Sequence, residues 1–359
     1  MKNNPHNQHH DSRPCRRLPA EWEHDPAVLL AWPHPESDWA PILNEACKCV
    51  ADIAEAVASL GRRVLVITPD PEATSAAIPI AAAKGLLTTV PYTTNDTWAR
   101  DFGPITLAGP DEGEYAPIDF QFNGWGLKFA SDRDNLVNRH LLSQGVISAP
   151  LTNCLSFTLE GGSIDSDGLG TLITTSECLL SPNRNGSCSR EEIDNYLRST
   201  LGMDRIIWLD HGSLAGDDTD SHIDTLARFA PGGKLLYNSC SDSSDPNHDA
   251  IEAMETEILA LAPDYGLTPV ALPLPSPVFD PDDGHQLPAT YANFLALPEA
   301  VLMPTYGQPE ADSRAAAIIA EAFGRPVVEI DCRILIRQHG SLHCMTMQIP
   351  SGALDPNHI

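Results

Sequence analysis

Apolar positions along this chain fall into two rhythms. Four stretches carry them at helical spacing and close on glycine: PILNEACKCVADIAEAVASLG (41–61), SREEIDNYLRSTLG (189–202), NHDAIEAMETEILALAPDYG (247–266) and ADSRAAAIIAEAFG (311–324). A glycine just past the last periodic residue is a left-handed helix stop. Ser189 followed by Glu192 is a capping-box pair, and Ile193, Tyr196, Leu197 and Leu201 then mark one apolar face. The second rhythm is short runs bounded by Pro, Gly or Asp: AVLLAWP, RRVLVITP, GTLITTSECLL, RIIWLD, KLLYN, FLALPEAVLMP and PVVEID, each read as a strand. Strand pair, helix and strand recur about every sixty to seventy residues, on the order of five times. No Gly/Ser linker or charge block divides the chain, so the expectation is one α/β domain over 18–359, after a disordered polar tail at 1–17.

The 359 residues are 42% apolar, enough for a full core, and no apolar run is long enough for a membrane span. The N-terminal stretch has no apolar segment of the kind a secretory signal needs. Three histidines near that end (His6, His9 and His10) read as part of a solvated tail before a metal site. Acids outnumber bases 49 to 22, a net charge of −27, which argues against nucleic acid or an anionic membrane as partner and favours a cationic small molecule. Nine cysteines at irregular spacing, with no C-x-x-C, point to reduced thiols in a cytoplasm and to no zinc site.

Five polar knots interrupt the strands. NDTWARDFGP (95–104) sets Trp98 three residues before Asp101 in a tight turn. LEGGS (159–163) puts Glu160 before two glycines, where backbone can approach a neighbour closely, and runs on into a hairpin turning at Asp167–Gly168. In DDTDSHIDTLARF (217–229), His222 and Asp224 would share one face of a strand, while Asp217, Asp218 and Asp220 read as a solvated loop. In GWGLKF (124–129), Trp125 reads as packing. In SLHCM (341–345), His343 and Cys344 would face opposite sides of a strand, which leaves His222 as the base for Cys344. A free cysteine is as readily a buried apolar residue as a nucleophile. A thiol, a histidine and several carboxylates exceed what a cysteine protease needs. They suit a guanidinium, whose planar N–H pairs match carboxylates and whose shielded carbon a thiolate can attack once it is held.

The sequence resembles the agmatine deiminases and bacterial-type peptidylarginine deiminases of the guanidine-modifying superfamily. NDTWARDFGP, LEGGS, SHIDTLARFAPG, TYANFLAL and HCMTMQIP occur in that family's order, and the likeness spans 18–350. The resemblance implies a five-bladed pseudo-symmetric α/β propeller of strand-strand-helix-strand units, with polar residues of each blade meeting on the axis. It implies Cys344 as nucleophile, His222 as general acid/base, Asp101 and Asp224 as guanidinium carboxylates, Glu160 as their support and Trp98 as an aromatic wall. The implied reaction hydrolyses agmatine to N-carbamoylputrescine and ammonia through an amidino-cysteine, a step towards putrescine, with no cofactor and no metal. Arginine or peptidylarginine deimination, amidino transfer, and non-catalytic guanidine binding are the alternatives, and self-association is left open. Two departures bear on the substrate: QHGSLHC carries His339 and Ser341 where relatives run in glycines, and HPESDW lacks an arginine expected after its tryptophan.

Overall fold

The computed structural model describes residues 16–186 and 188–358. All four expected helices form: Leu43–Ser59, Arg190–Leu201, His248–Tyr265 and Pro309–Phe323. The capping box is made, with Ser189 N donating to Glu192 at 2.7 Å, and Gly202, Gly266 and Gly324 close their helices in the left-handed region. Two strand expectations are corrected. GTLITTSECLL is a strand only over Thr171–Thr175, because the Thr175 hydroxyl accepts from Cys178 N and starts a helical turn at Ser176–Leu179. FLALPEAVLMP is two antiparallel strands, Leu295–Ala296 and Val301–Thr305, since Pro298 and Glu299 occupy a turn closed by Leu297 N to Ala300 O at 3.0 Å.

The fold is mixed α/β, and its strands form five small sheets of one design. In each, a leading strand pairs antiparallel with a second, which pairs parallel with a third across a helical crossover. The leading strands are Met347–Pro350, Ile105–Ala108, Ile164–Ser166, Ala227–Ala230 and Leu295–Ala296. Met347–Pro350 completes the sheet of Pro26–Ala31 (Leu29 opposite Met347), so the two ends of the chain share one sheet. Pro26–Ala31 and Val64–Thr68 are buried along their whole length, which is why they read as unbroken apolar runs. A two-stranded ribbon, Val278–Phe279 with Gln286–Leu287, stands outside this scheme.

The arrangement has one consequence for function. Four of the polar knots, and TYANFLAL with them, place a polar side chain two to four residues before a leading strand: Asp101 before Ile105, Glu160 before Ile164, Asp224 before Ala227, Asn293 before Leu295 and Cys344 before Met347; GWGLKF instead follows the second strand of its sheet, Tyr115–Gln121. The tail expected at 1–17 falls almost wholly outside the described residues, with Cys15 and the three histidines. Its last two residues are held: Arg17 N donates to Ala108 O at 3.0 Å, and Arg16 pairs with Glu114 at 2.7 Å. Among the described residues, no helix is long and apolar enough to cross a membrane.

Candidate active site

Cys344 lies in a turn over residues 342–345, not in a strand, and is 5% exposed. Met345 N donates to Ser341 O and Thr346 N to His343 O, and this winding sends His343 and Cys344 to different sides. Gly340 is required here, since a Cβ would stand 2.3 Å from the Trp98 ring. Asn293 clamps the turn. Its Oδ1 accepts from His343 N at 2.9 Å, and its Nδ2 reaches Cys344 Sγ at 3.2 Å.

The expected residues converge on this thiol. Asp101 sits in the short helical turn Ala99–Phe102, and its carboxylate accepts from Trp125 Nε1 and from Gly162 N, each at 2.9 Å. Its Oδ1 is 3.6 Å from His222 Nδ1. His222 caps the start of a 3₁₀ turn, Ile223–Thr225, and Asp224 lies within it, so neither is in a strand, yet both point to the same centre. A Cβ on Gly162 would stand 2.6 Å from His222 Nδ1, 2.8 Å from Asp101 Oδ1 and 3.1 Å from Asp224 Oδ2, so this position of LEGGS has no room for a side chain. Glu160 is fully buried, 4.0 Å from His222 Nε2, and both its oxygens accept from Arg184 Nε at 3.0 and 2.9 Å. Asp224 lies 3.6 Å from Cys344 Sγ. Its Oδ2 accepts from His343 Nδ1 at 2.7 Å, while its Oδ1 is buried without a hydrogen-bond partner.

Burial and charge set the protonation states. Burial raises Asp101 to about 6, with Asp224 and Glu160 adding to the rise and His222 opposing it. Burial also opposes the charge on His222, but the Asp101 carboxylate, Cys178 and Glu160 outweigh it and hold the histidine well above its ordinary value. For Asp224 burial is outweighed by the bond and charge of His343, which hold it below the usual carboxylate range. Cys344 is pushed well above the ordinary thiol by burial and by Asp224 and Asp101. It is therefore a thiol until a cation arrives beside it.

A cleft opens onto Cys344. Trp98, Trp125 and Asp101 line its buried end, and Asp38, Asp96 and Asp218 line its outer end with Phe129 and His339. No lysine or arginine lines it among the described residues. Trp125, expected to be packing alone, is both a wall and a donor to Asp101. It sits at φ 55° in a left-handed run from Gly124 to Leu127 that turns its indole inward. Asp218, expected in a solvated loop, lines the cleft. Asn293, Arg184 and Glu21 escaped the sequence reading. For Asn293 a signal existed, because it sits in TYANFLAL, two residues before a leading strand, as four of the knots sit just before theirs. Glu160, Cys178 and His222 carry donor atoms close enough to share a metal ion, but Arg184 already engages both Glu160 oxygens.

A thiol set among an amide, an imidazole and carboxylates, at the floor of an acid-lined cleft, is a site built to receive a cation. The chain belongs to the Porphyromonas-type peptidyl-arginine deiminase family, whose profile matches residues 17–350. It is 33% identical to an agmatine deiminase of Stutzerimonas stutzeri, with 93% of this chain and 95% of that protein covered. A C. jejuni agmatine deiminase solved with substrate bound, in a cysteine-to-serine form, matches at TM-score 0.85 and 34% identity, covering 93% of this chain and 96% of that one. A Porphyromonas gingivalis structure named "Putative Arginine Deiminase" matches at TM-score 0.87 and 43% identity, covering 95% and 100%.

Proposed function

We propose that this protein hydrolyses agmatine to N-carbamoylputrescine and ammonia, with residues 18–359 acting as one catalytic unit. The five like sheets are read as blades of a propeller whose leading strands bring the knots to a common axis. The observation that carries the substrate is the charge of the cleft. Carboxylates stand at both ends, Asp101 and Asp224 beside the thiol and Asp38, Asp96 and Asp218 at the outer end, and no lysine or arginine among the described residues lines the cleft. Agmatine has a cation at each end. Arginine or a peptidyl arginine would bring a carboxylate or carbonyl to the outer end, where these acids repel the first and offer no fixed donor to the second.

In this reading the guanidinium lies between Asp101 and Asp224, with the free Asp224 Oδ1 accepting an N–H and Trp98 and Trp125 walling the plane. Its charge allows the Cys344 proton to leave to solvent. The thiolate attacks the guanidinium carbon and forms a C–S bond. His222, charged at rest, gives a proton to the departing nitrogen, and the C–N bond breaks to release ammonia. The neutral His222 then takes a proton from a water that attacks the amidino carbon. The C–S bond breaks, the added hydroxyl gives its proton to the departing sulfur, and the ureido product leaves a charged His222 and a thiol. Ammonia takes up the proton lost in the first step, so the cycle balances. Acid-quenching the enzyme during turnover and mapping its peptides tests this: the Cys344 peptide should gain the mass of agmatine less ammonia. A steady-state reaction with no such adduct on Cys344, but one on another residue, would refute the assignment.

A further inference from the structure

A buried column of alternating charge runs from Asp224 away from the cleft. Asp224 Oδ2 accepts from His343 Nδ1 at 2.7 Å, and His343 Nε2 lies 3.0 Å from Glu21 Oε1. Glu21 in turn accepts from Arg100 Nη2 at 3.0 Å and from Arg228 Nη2 at 2.5 Å, and Arg228 Nε stands 3.4 Å from Asp165 Oδ2. All of these side chains are buried. Carboxylates offer only acceptors, so an imidazole bonded to one at each nitrogen donates from both and carries a positive charge. The groups facing His343 are thus Asp224 and Glu21, with Arg100, Arg228 and Asp165 behind Glu21, and Asp101 and His222 beyond Asp224.

The column sorts the two oxygens of Asp224. His343 pins Oδ2, which leaves Oδ1, buried and without a partner, as the one free to take a substrate N–H. Glu21 comes from LPAEWEHD, 322 residues before His343, and has no contact with the cleft. We propose that His343 and Glu21 are positioning residues: Glu21 holds His343 charged and oriented, and His343 holds Asp224 so that its free oxygen meets the guanidinium. The inference rests on the reading of Asp224 as a substrate carboxylate.

Two substitutions at His343 separate positioning from bulk stability. In His343→Asn the amide can take the place of Nδ1 towards Asp224; in His343→Gln it reaches instead towards Glu21. With agmatine, His343→Asn should lower kcat/KM about tenfold and move the acid limb of its pH profile upward, because Asp224 loses its neighbouring cation. His343→Gln should cost about a hundredfold. Glu21→Gln should resemble His343→Asn, and the two together should do no more harm than His343→Asn alone, since one acts through the other. Equal losses for Asn and Gln with an unmoved pH profile would overturn the inference. So would multiplicative losses in the double variant. If Glu21→Gln does not fold, the His343 pair decides alone. A wild-type protein silent on agmatine defeats the functional reading instead, before any variant is compared.

Discussion

Asn293 Nδ2 stands 3.2 Å from Cys344 Sγ, while Asn293 Oδ1 accepts from the backbone N–H groups of His343 and Cys344. One amide therefore shapes the nucleophile's turn and supplies a donor to its sulfur. That donor lowers the thiol's proton affinity, against the rise imposed by burial, Asp224 and Asp101. Asn293→Ala should reduce kcat for agmatine about a hundredfold. Asn293→Asp, which adds a charge facing the sulfur, should be at least as harmful. Alkylation of Cys344 by iodoacetamide across pH is the check: the thiol should titrate higher in both variants than in wild type.

The acid limb of kcat/KM should fall near the value of Asp101. This carboxyl is raised to about 6 and has to be ionised to hold a guanidinium, so protonation removes activity as pH drops through that value. The sign follows from a folded value above that of a free aspartate: the proton stays on at a pH where an exposed acid would have lost it. Trp125 Nε1 favours the ionised form. Trp125→Phe should thus move the limb to higher pH, and a profile that stays in place would contradict this role of the indole.

The outer acids should discriminate by charge at the far end of the substrate. Burial, with Asp38 and Asp218 adding to it, raises Asp96 to about 7, so its contribution grows as pH rises through neutrality. Asp96→Asn with Asp218→Asn should raise KM for agmatine about tenfold and leave KM for an alkylguanidine of equal length, lacking the amine, nearly unchanged. A parallel rise for both compounds would mean that these acids do not read the amine.

Much of this was legible in the sequence, for identifiable reasons. Helices with a strong period and a glycine stop, such as Arg190–Leu201, declare themselves through local propensity. Cys344, His222, Asp101, Asp224 and Glu160 lay in stretches crowded with reactive types, but it was the family resemblance that singled them out, and the structure brings them together. The local geometry was misread where a turn mimics a strand: His222 and Asp224 share a direction through a 3₁₀ turn, and Cys344 sits in a turn. Glu21 and Arg184 were invisible because their meaning is in partners far along the chain, 322 residues to His343 and 24 to Glu160. No local pattern marks a buried ion pair formed at such a distance.

Arg184 provides a stability test. Its side chain is fully buried, engages both oxygens of Glu160, and also reaches Asp220 and Thr219 O. Arg184→Ala leaves Glu160 charged and buried without its partner, at a cost of about 3–5 kcal/mol. Arg184→Ala with Glu160→Gln removes the stranded charge and should recover part of the loss in denaturant unfolding. No recovery would mean that the arginine acts mainly through its loop contacts.

The most direct measurement is ammonia release from agmatine, free arginine and a blocked arginyl peptide, side by side, with wild-type protein and Cys344→Ser. Turnover of agmatine should lie far above that of the other two, Cys344→Ser should show none, and the melting temperature of Cys344→Ser should still rise with agmatine. Ammonia released by Cys344→Ser at the wild-type rate, or turnover of the arginyl peptide with agmatine untouched, would contradict this assignment.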